Sequence, residues 1–196
     1  MYPVNEIFYS LQGEGYHTGT PCVFIRFSGC NLHCAFCDTD HASASDMSLS
    51  DIVDVVGQYS DARMVVLTGG EPSLFVDEDL VRALRAETGM PVAMETNGTS
   101  PPPPSLDWVT LSPKGAFEGG RDVPCMLTRC DELKVVYCGQ DLAQYDHIET
   151  RHRFLQPCYV NDPLQRQANM EACVQAVLKH KGWRLSLQVQ RVLGIR

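Results

Sequence analysis

Three cysteines carry the first chemistry this chain announces. Cys30, Cys34 and Cys37 stand at C-x3-C-x2-C spacing inside Phe27-Ser28-Gly29-Cys30-Asn31-Leu32-His33-Cys34-Ala35-Phe36-Cys37. Thiolates are the usual protein ligands of iron–sulfur clusters. Three of them leave one iron of a four-iron cubane without a protein ligand. An open coordination position is what a catalytic metal needs, whereas structural sites are closed. Two other readings stand beside this one. A structural zinc could recruit His33 or His41 as a fourth ligand, although zinc knuckles favour paired C-x2-C spacings. A chance group of core cysteines is disfavoured by Gly29, Asn31 and His33, which make this a poor core segment.

The chain holds nine cysteines, an odd number, and residues 1–10 lack the basic-then-apolar pattern of a signal peptide. A disulfide framework belongs to oxidising compartments and is not expected here. Cys22, Cys125, Cys130, Cys138, Cys158 and Cys173 are scattered and read as buried or semi-buried small hydrophobes. Cys125, Cys130 and Cys138 lack the paired spacing of a second metal site.

Other candidates sit where segments end. Thr68-Gly69-Gly70-Glu71-Pro72 follows a short apolar run; its glycines let backbone approach a ligand, and Glu71 offers an acceptor for an ammonium group. Glu95-Thr96-Asn97-Gly98 closes the next run, and Ser112-Pro113-Lys114 a later one. Alone, each could be an ordinary turn or a solvated lysine.

The elements that must position these residues alternate between strand and helix. Strands are predicted over residues 22–28, 64–68, 91–95, 108–111, 133–137, 154–156 and 184–189. A helix begins at Ser48, with Asp51 completing a capping box and Leu49, Ile52, Val53 and Val56 as its apolar stripe. A second covers 77–87, burying Leu80, Val81 and Leu84. A third starts at Asp162-Pro163-Leu164-Gln165 and runs to about residue 181, with Gly182 as its stop. The prolines at 101–104 form an extended connector.

Alternation of this kind argues for an α/β fold with a parallel sheet and outer helices. The 196 residues suit one domain spanning 1–196. They fall short of the ~250 residues of a complete eight-fold barrel, so a partial, TIM-like barrel is expected. Sixteen Lys and Arg against 24 Asp and Glu give a net charge of −8, no footprint for nucleic acid. No apolar run reaches the ~20 residues that span a bilayer. A cytoplasmic enzyme is expected, with no nucleic-acid or membrane partner.

The cysteine spacing, with Phe36 before the last thiol, resembles the cluster motif of radical S-adenosylmethionine enzymes. Such a resemblance implies a 4Fe-4S cluster whose open iron chelates the methionine moiety of S-adenosylmethionine, and an electron transfer that yields a 5′-deoxyadenosyl radical. Further matches narrow the family. The segment Asn5-Glu6-Ile7-Phe8-Tyr9-Ser10-Leu11-Gln12-Gly13-Glu14-Gly15 precedes the first barrel strand. With it come Phe24-Ile25-Arg26-Phe27, Cys37-Asp38-Thr39, residues 67–72 and 112–114, Leu155-Gln156-Pro157 and Leu185-Ser186-Leu187-Gln188. In this order the set is similar to the 7-carboxy-7-deazaguanine synthase family, lyases that contract 6-carboxy-5,6,7,8-tetrahydropterin to a 7-deazaguanine with loss of ammonia.

The resemblance assigns roles position by position. Phe36, Cys37, Asp38, Gly70, Glu71, Asn97, Ser112, Pro113, Lys114, Gln156 and Pro157 go with the cofactor. Leu11, Gln12, Gly13, Glu14, Arg26, Thr68 and the terminal Arg196 go with the substrate, and Thr39 with magnesium (Mg2+). Arg26 suits the pterin carboxylate, because a guanidinium pairs with it in a planar, bidentate way. An electron donor such as flavodoxin and a homodimer are also implied. One departure stands out: the family commonly continues after Gln188 with Thr-His-Lys, and this chain has Val189-Gln190-Arg191. Two rival classes remain, an activase that places a glycyl radical on a partner protein and a zinc-binding interaction module.

Overall fold

A computed structural model describes residues 1–37, 44–117 and 123–196. Nine strands form one open sheet in the order β3-β1-β2-β4-β5-β6-β7-β8-β9. In chain order they are β1 (Tyr2–Leu11), β2 (Pro21–Phe27), β3 (Ser45–Met47), β4 (Met64–Gly69), β5 (Val92–Thr96), β6 (Trp108–Leu111), β7 (Glu132–Tyr137), β8 (His152–Pro157) and β9 (Trp183–Leu185). From β2 to β9 every pairing is parallel, while β1 runs antiparallel to both β2 and β3. The helices are α1 (Leu49–Val56), α2 (Glu78–Thr88), α3 (Pro163–Lys179) and α4 (Val189–Leu193). The partial barrel expected from the alternation is the observed architecture, and the sheet does not close.

Local chemistry explains the helix starts. Ser48 and Asp51 exchange side-chain and backbone hydrogen bonds as a full capping box on α1. Asp77 accepts from Leu80 N–H and opens α2, which Gly89 ends in the left-handed region at φ 68°. Asp162 accepts from Gln165 N–H, with Pro163 in the first turn of α3.

Strand alternation sorts the core into two outer layers and one inner layer. On β2, Val23, Ile25 and Phe27 face α1 and α2, packing with Ile52, Leu80 and Leu84. Leu133, Val135 and Leu155 face α3 and meet Cys173 and Ala176. The opposite face of β2 sends Cys22 and Phe24 inward against Phe8, Met64, Val66 and Ala93. This inner layer lies near the amino ends of the parallel strands. Beside it the 12–20 loop brings Tyr16 over Trp108 (centroids 5.1 Å) and His152 (4.3 Å). The barrel interior is therefore filled from below and left open above, at the carboxyl ends.

Two expectations change. The amino-terminal segment, expected to precede the first strand, is itself the ten-residue strand β1. A register shift between Val4 and Glu6 reverses which residues face inward. Tyr2, Val4 and Ile7 pack outside, and Phe8 packs inside. The strand predicted over 184–189 stops at Leu185, and Val189 instead begins α4. Ser186 N–H still reaches Leu155 O at 2.9 Å. The next β8 residue able to bond on that side is Pro157, which has no N–H to donate, so the ladder ends.

Leu84 is fully buried between α2 and the sheet. Leu84→Ala is expected to cost about 2–5 kcal/mol, and Asp77→Ala about 1 kcal/mol. Urea unfolding midpoints check both.

Candidate active site

The cysteine loop leaves β2 through Gly29, whose φ of 97° favours glycine. Its base is tied to the glycine-rich turn after β4. Gly70 N–H donates to Phe27 O and Glu71 N–H to Gly29 O, both at 2.9 Å. A Cβ on Gly69, itself at φ 113°, would stand 2.3 Å from Phe27 O. The two motifs thus touch along their backbones.

Glu71 is completely buried. Its Oε1 accepts from Ser73 N–H (3.1 Å), Ser73 Oγ (2.6 Å) and Thr96 Oγ1 (2.5 Å), and its Oε2 accepts from Asn97 N–H (2.6 Å). These four bonds clamp Glu71 to Ser73 and to the end of β5, while it also lines the cavity that the three cysteines share. Asn97 continues the chain of contacts, donating to Asn31 Oδ1 at 3.2 Å and reaching Cys30 Sγ at 4.0 Å.

Cys30, Cys34 and Cys37 line one cavity of about 270 Å³. Burial pushes the Cys30 and Cys34 thiols up, and the Lys114 ammonium opposes this at both. Lys114 is bonded to Ser112 O (2.8 Å) and Ser112 Oγ (2.5 Å), and burial lowers its pKa. Phe36 meets Phe117 edge-on at 4.6 Å.

At the other end of the cavity lies a buried charge network. Lys134, on β7, pairs with Glu14 at 2.6 Å and Glu95 at 3.2 Å. Glu95 also accepts from Gln12 Nε2 (3.1 Å) and Thr68 Oγ1 (3.2 Å). Glu14 accepts from Gln188 Nε2 and Gln190 Nε2, each at 3.0 Å. Burial alone would raise Glu14, but Lys134 and the two glutamine amides bring it down to about 2. Burial likewise works against the Lys134 charge, and Glu14, Glu95 and Glu132 more than offset it. Glu132, two residues along β7, accepts from Tyr16 N–H at 2.9 Å and is pushed up by burial to about 7.

Arg26 also faces the cavity. Its Nε donates to Glu6 at 2.9 Å, and its guanidinium lies 5.6 Å from the Phe8 ring centroid. Arg196 pairs with the same Glu6 and lies 5.2 Å over the same ring, while Ser10 Oγ donates to its carbonyl at 2.7 Å.

Among the described residues, every site residue expected from the sequence lines this cavity except Pro113: Leu11, Gln12, Gly13, Glu14, Arg26, Thr68, Gly70, Glu71, Asn97, Ser112, Lys114, Gln156, Pro157 and Arg196 join the cysteines and Phe36. Asp38 and Thr39 lie outside the described residues. Sequence reasoning gave no site role to Lys134, Glu6 or Gln190, and named Glu95 only within the motif that closes β5. A lysine inside the apolar run Leu133-Lys134-Val135-Val136 was the available signal.

Residues 24–110 match the Radical SAM superfamily. The 7-carboxy-7-deazaguanine synthase of Bacteroides thetaiotaomicron is 52% identical over 196 residues, covering all of both chains. That of Bordetella pertussis is 40% identical over 99% of each. The chain belongs to the 7-carboxy-7-deazaguanine synthase family. The crystal structure of Escherichia coli QueE superposes with a TM-score of 0.75 at 31% identity, over 96% of this chain and 94% of that one. Streptococcus suis SuiB bound to S-adenosylmethionine shares the fold, with a TM-score of 0.53 at 14% identity over 81% of this chain and 48% of that one.

Membership of the radical SAM superfamily implies a 4Fe-4S cluster and S-adenosylmethionine, and the residues present fit both. Three thiols share one cavity wall, no further cysteine or histidine among the described residues lines it, and a buried ammonium offsets thiolate charge. Among the described residues, no three His, Cys, Asp or Glu side chains are arranged to hold a single metal ion.

The charge network predicts two opposite pH effects. The lowered Glu14 stabilises the fold above its unfolded value of 4.5, and that contribution is lost as pH falls toward 2. The raised Glu132 does the reverse: its contribution is present below 4.5 and lost as pH rises to about 7. Glu132→Gln is expected to abolish the loss between pH 4.5 and 7, read from urea midpoints across that range.

Proposed function

We propose that this chain converts 6-carboxy-5,6,7,8-tetrahydropterin to 7-carboxy-7-deazaguanine and ammonia, a carbon–nitrogen lyase reaction in 7-deazapurine (queuosine-type) biosynthesis. The observation that supports it is a single cavity with three thiols at one end and a buried Lys134–Glu14–Glu95 network with two arginines at the other. When bound, the cluster and S-adenosylmethionine supply a hydrogen-atom abstraction that no side chain can perform.

The chain's own part is orientation, which decides which C–H bond is nearest. Cys30, Cys34 and Cys37 hold the cluster. Gly70, Asn97, Ser112, Lys114, Gln156 and Pro157 form the wall beside it on which the cofactor rests. A guanidinium has five N–H donors; the bond to Glu6 spends one Arg26 donor, and Arg26 with Arg196 provides the positive end for the substrate carboxylate. Glu14, ionised at neutral pH because Lys134 holds its pKa low, accepts from the ring N–H groups. Gln12, Thr68 and the backbone of 11–13 complete the polar edge. The 12–15 segment and α4 limit water access, with Val189 N–H donating to Gly13 O at 3.1 Å.

Magnesium held by Thr39 and the substrate carboxylate, a flavodoxin-type electron donor and a homodimer belong to the same proposal. So does residence in the cytoplasm, with which the absence of any helix long and apolar enough to cross a membrane among the described residues is consistent.

Anaerobic turnover of the pterin with S-adenosylmethionine, read by product mass, tests the proposal; an unchanged pterin mass overturns it. Cys34→Ala is expected to remove the cluster's visible absorption and all product. Full activity with only zinc bound contradicts the account. Thr39→Ala is expected to lower turnover at least about tenfold, a barrier increase of about 1.4 kcal/mol, and to weaken its dependence on added magnesium in a titration.

A further inference from the structure

The six cysteines outside the cluster loop are not alike. Burial pushes the thiols of Cys22, Cys125, Cys130 and Cys173 up, to about 12 for Cys22 and Cys173 and about 11 for Cys130. Such thiols are inert packing groups. Cys138 and Cys158 differ because the topology makes them neighbours. Strands β7 and β8 pair in parallel register, Val136 with Gln156 and Tyr137 with Pro157. Cys138 and Cys158 are the residues that follow this last pair, just past the ends of both strands. Neighbouring strands lie about 4.8 Å apart, inside the ~4.4–6.8 Å Cα separation that a disulfide spans. The two thiols are close enough to shift each other's titration, and both line one cavity.

They also share a place of access. Both line a second cavity of about 490 Å³ together with Cys37, Phe36, Phe117 and Arg191. Phe36, Cys37, Tyr159 and Arg191 line the first cavity as well, so the pair lies beside the cluster loop. Cys138 is exposed and Cys158 is buried.

We propose that Cys138 and Cys158 form a reversible dithiol–disulfide site that reacts with low-molecular-weight disulfides through the second cavity. Its chemistry is thiol–disulfide exchange. The Cys158 thiolate attacks one sulfur of the small disulfide, forming a protein–S–S–R bond and expelling RS−. Cys138, losing its proton, then attacks Cys158 Sγ, forms the Cys138–Cys158 bond and expels the second RS−. Two protein thiols are oxidised and one disulfide is reduced to two thiols, with the two released protons taken up by the leaving groups. The influence of each thiol on the other suits these roles, lowering the Cys158 thiol to about 7 and holding Cys138 up. The reading is independent of which substrate the first cavity takes.

The test exposes cluster-loaded protein to glutathione disulfide without oxygen, blocks remaining thiols by alkylation, and maps peptides before and after reduction. The expected result is a 138–158 cross-linked peptide that thiol reductant releases, formed while the cluster's visible absorption persists. Cys138→Ser should instead trap a glutathione adduct on Cys158, and Cys158→Ala should abolish the cross-link. An adduct confined to Cys138, a cross-link that appears only after the cluster is lost, or alkylation of both thiols unchanged by the treatment would each overturn the proposal.

Discussion

The reactive end of this protein hangs on one carboxylate that never meets solvent. Glu71 joins three segments far apart in sequence. Its backbone N–H holds Gly29 at the root of the cysteine loop, its Oε1 holds Ser73 and Thr96, and its Oε2 holds Asn97. Asn97 in turn meets Asn31 and Cys30. A buried carboxylate is tolerated only when its lone pairs are satisfied, and here satisfying them places the cysteine loop. Apart from Leu32 and Phe36 the loop has little apolar surface to anchor it. Clamping it through Glu71 gives the thiols a fixed origin beyond what that packing supplies.

The far end uses the opposite device, a buried cation shared among carboxylates. Lys134 lies near Glu14, Glu95 and Glu132, and it can remain charged only because all three are close. Removing such a charge from water costs several kcal/mol per ion, recovered through close pairs and added hydrogen bonds. Gln12, Thr68, Gln188 and Gln190 supply those bonds. Glu132, nearest the aromatic floor of Tyr16, Trp108 and His152, is the member left most inclined to take a proton. The network therefore carries a polar, preorganised surface into an apolar barrel interior, which a ligand rich in amide-like groups could meet without shedding hydrogen bonds to no purpose.

The parallel strands and the three long helices were legible because their signals are local. Ser48 with Asp51, Asp77 and Asp162-Pro163 are caps whose geometry depends on neighbours in sequence, and each opens its helix at the expected residue. The cysteine spacing was equally local. What failed to show depends on pairing. The inward turn of Glu6 and Phe8 follows from a register shift in β1 that only the partner strand β2 defines. The end of β9 is set by Pro157 on another strand. Lys134 looked like one charge in an apolar strand until Glu14 and Glu95, 120 and 39 residues away, closed around it.

An open barrel also needs a side wall, and the chain makes it from its own ends. The 12–15 segment and α4 meet where Val189 N–H donates to Gly13 O and Gly15 N–H donates to Ser186 Oγ at 2.9 Å. The departure at Val189-Gln190-Arg191 becomes intelligible there. Val189 contributes its backbone N–H, a group that any residue but proline has, so a hydroxyl side chain at this position is not needed for the clasp. Gln190 donates an amide hydrogen to Glu14, a bond that does not depend on protonation as an imidazolium's would. Arg191 keeps a cation and lays it 4.0 Å over the Tyr159 ring, where a planar guanidinium stacks better than an ammonium. Val189, Gln190 and Arg191 thus supply a backbone tie, a neutral donor and a positive charge at this wall.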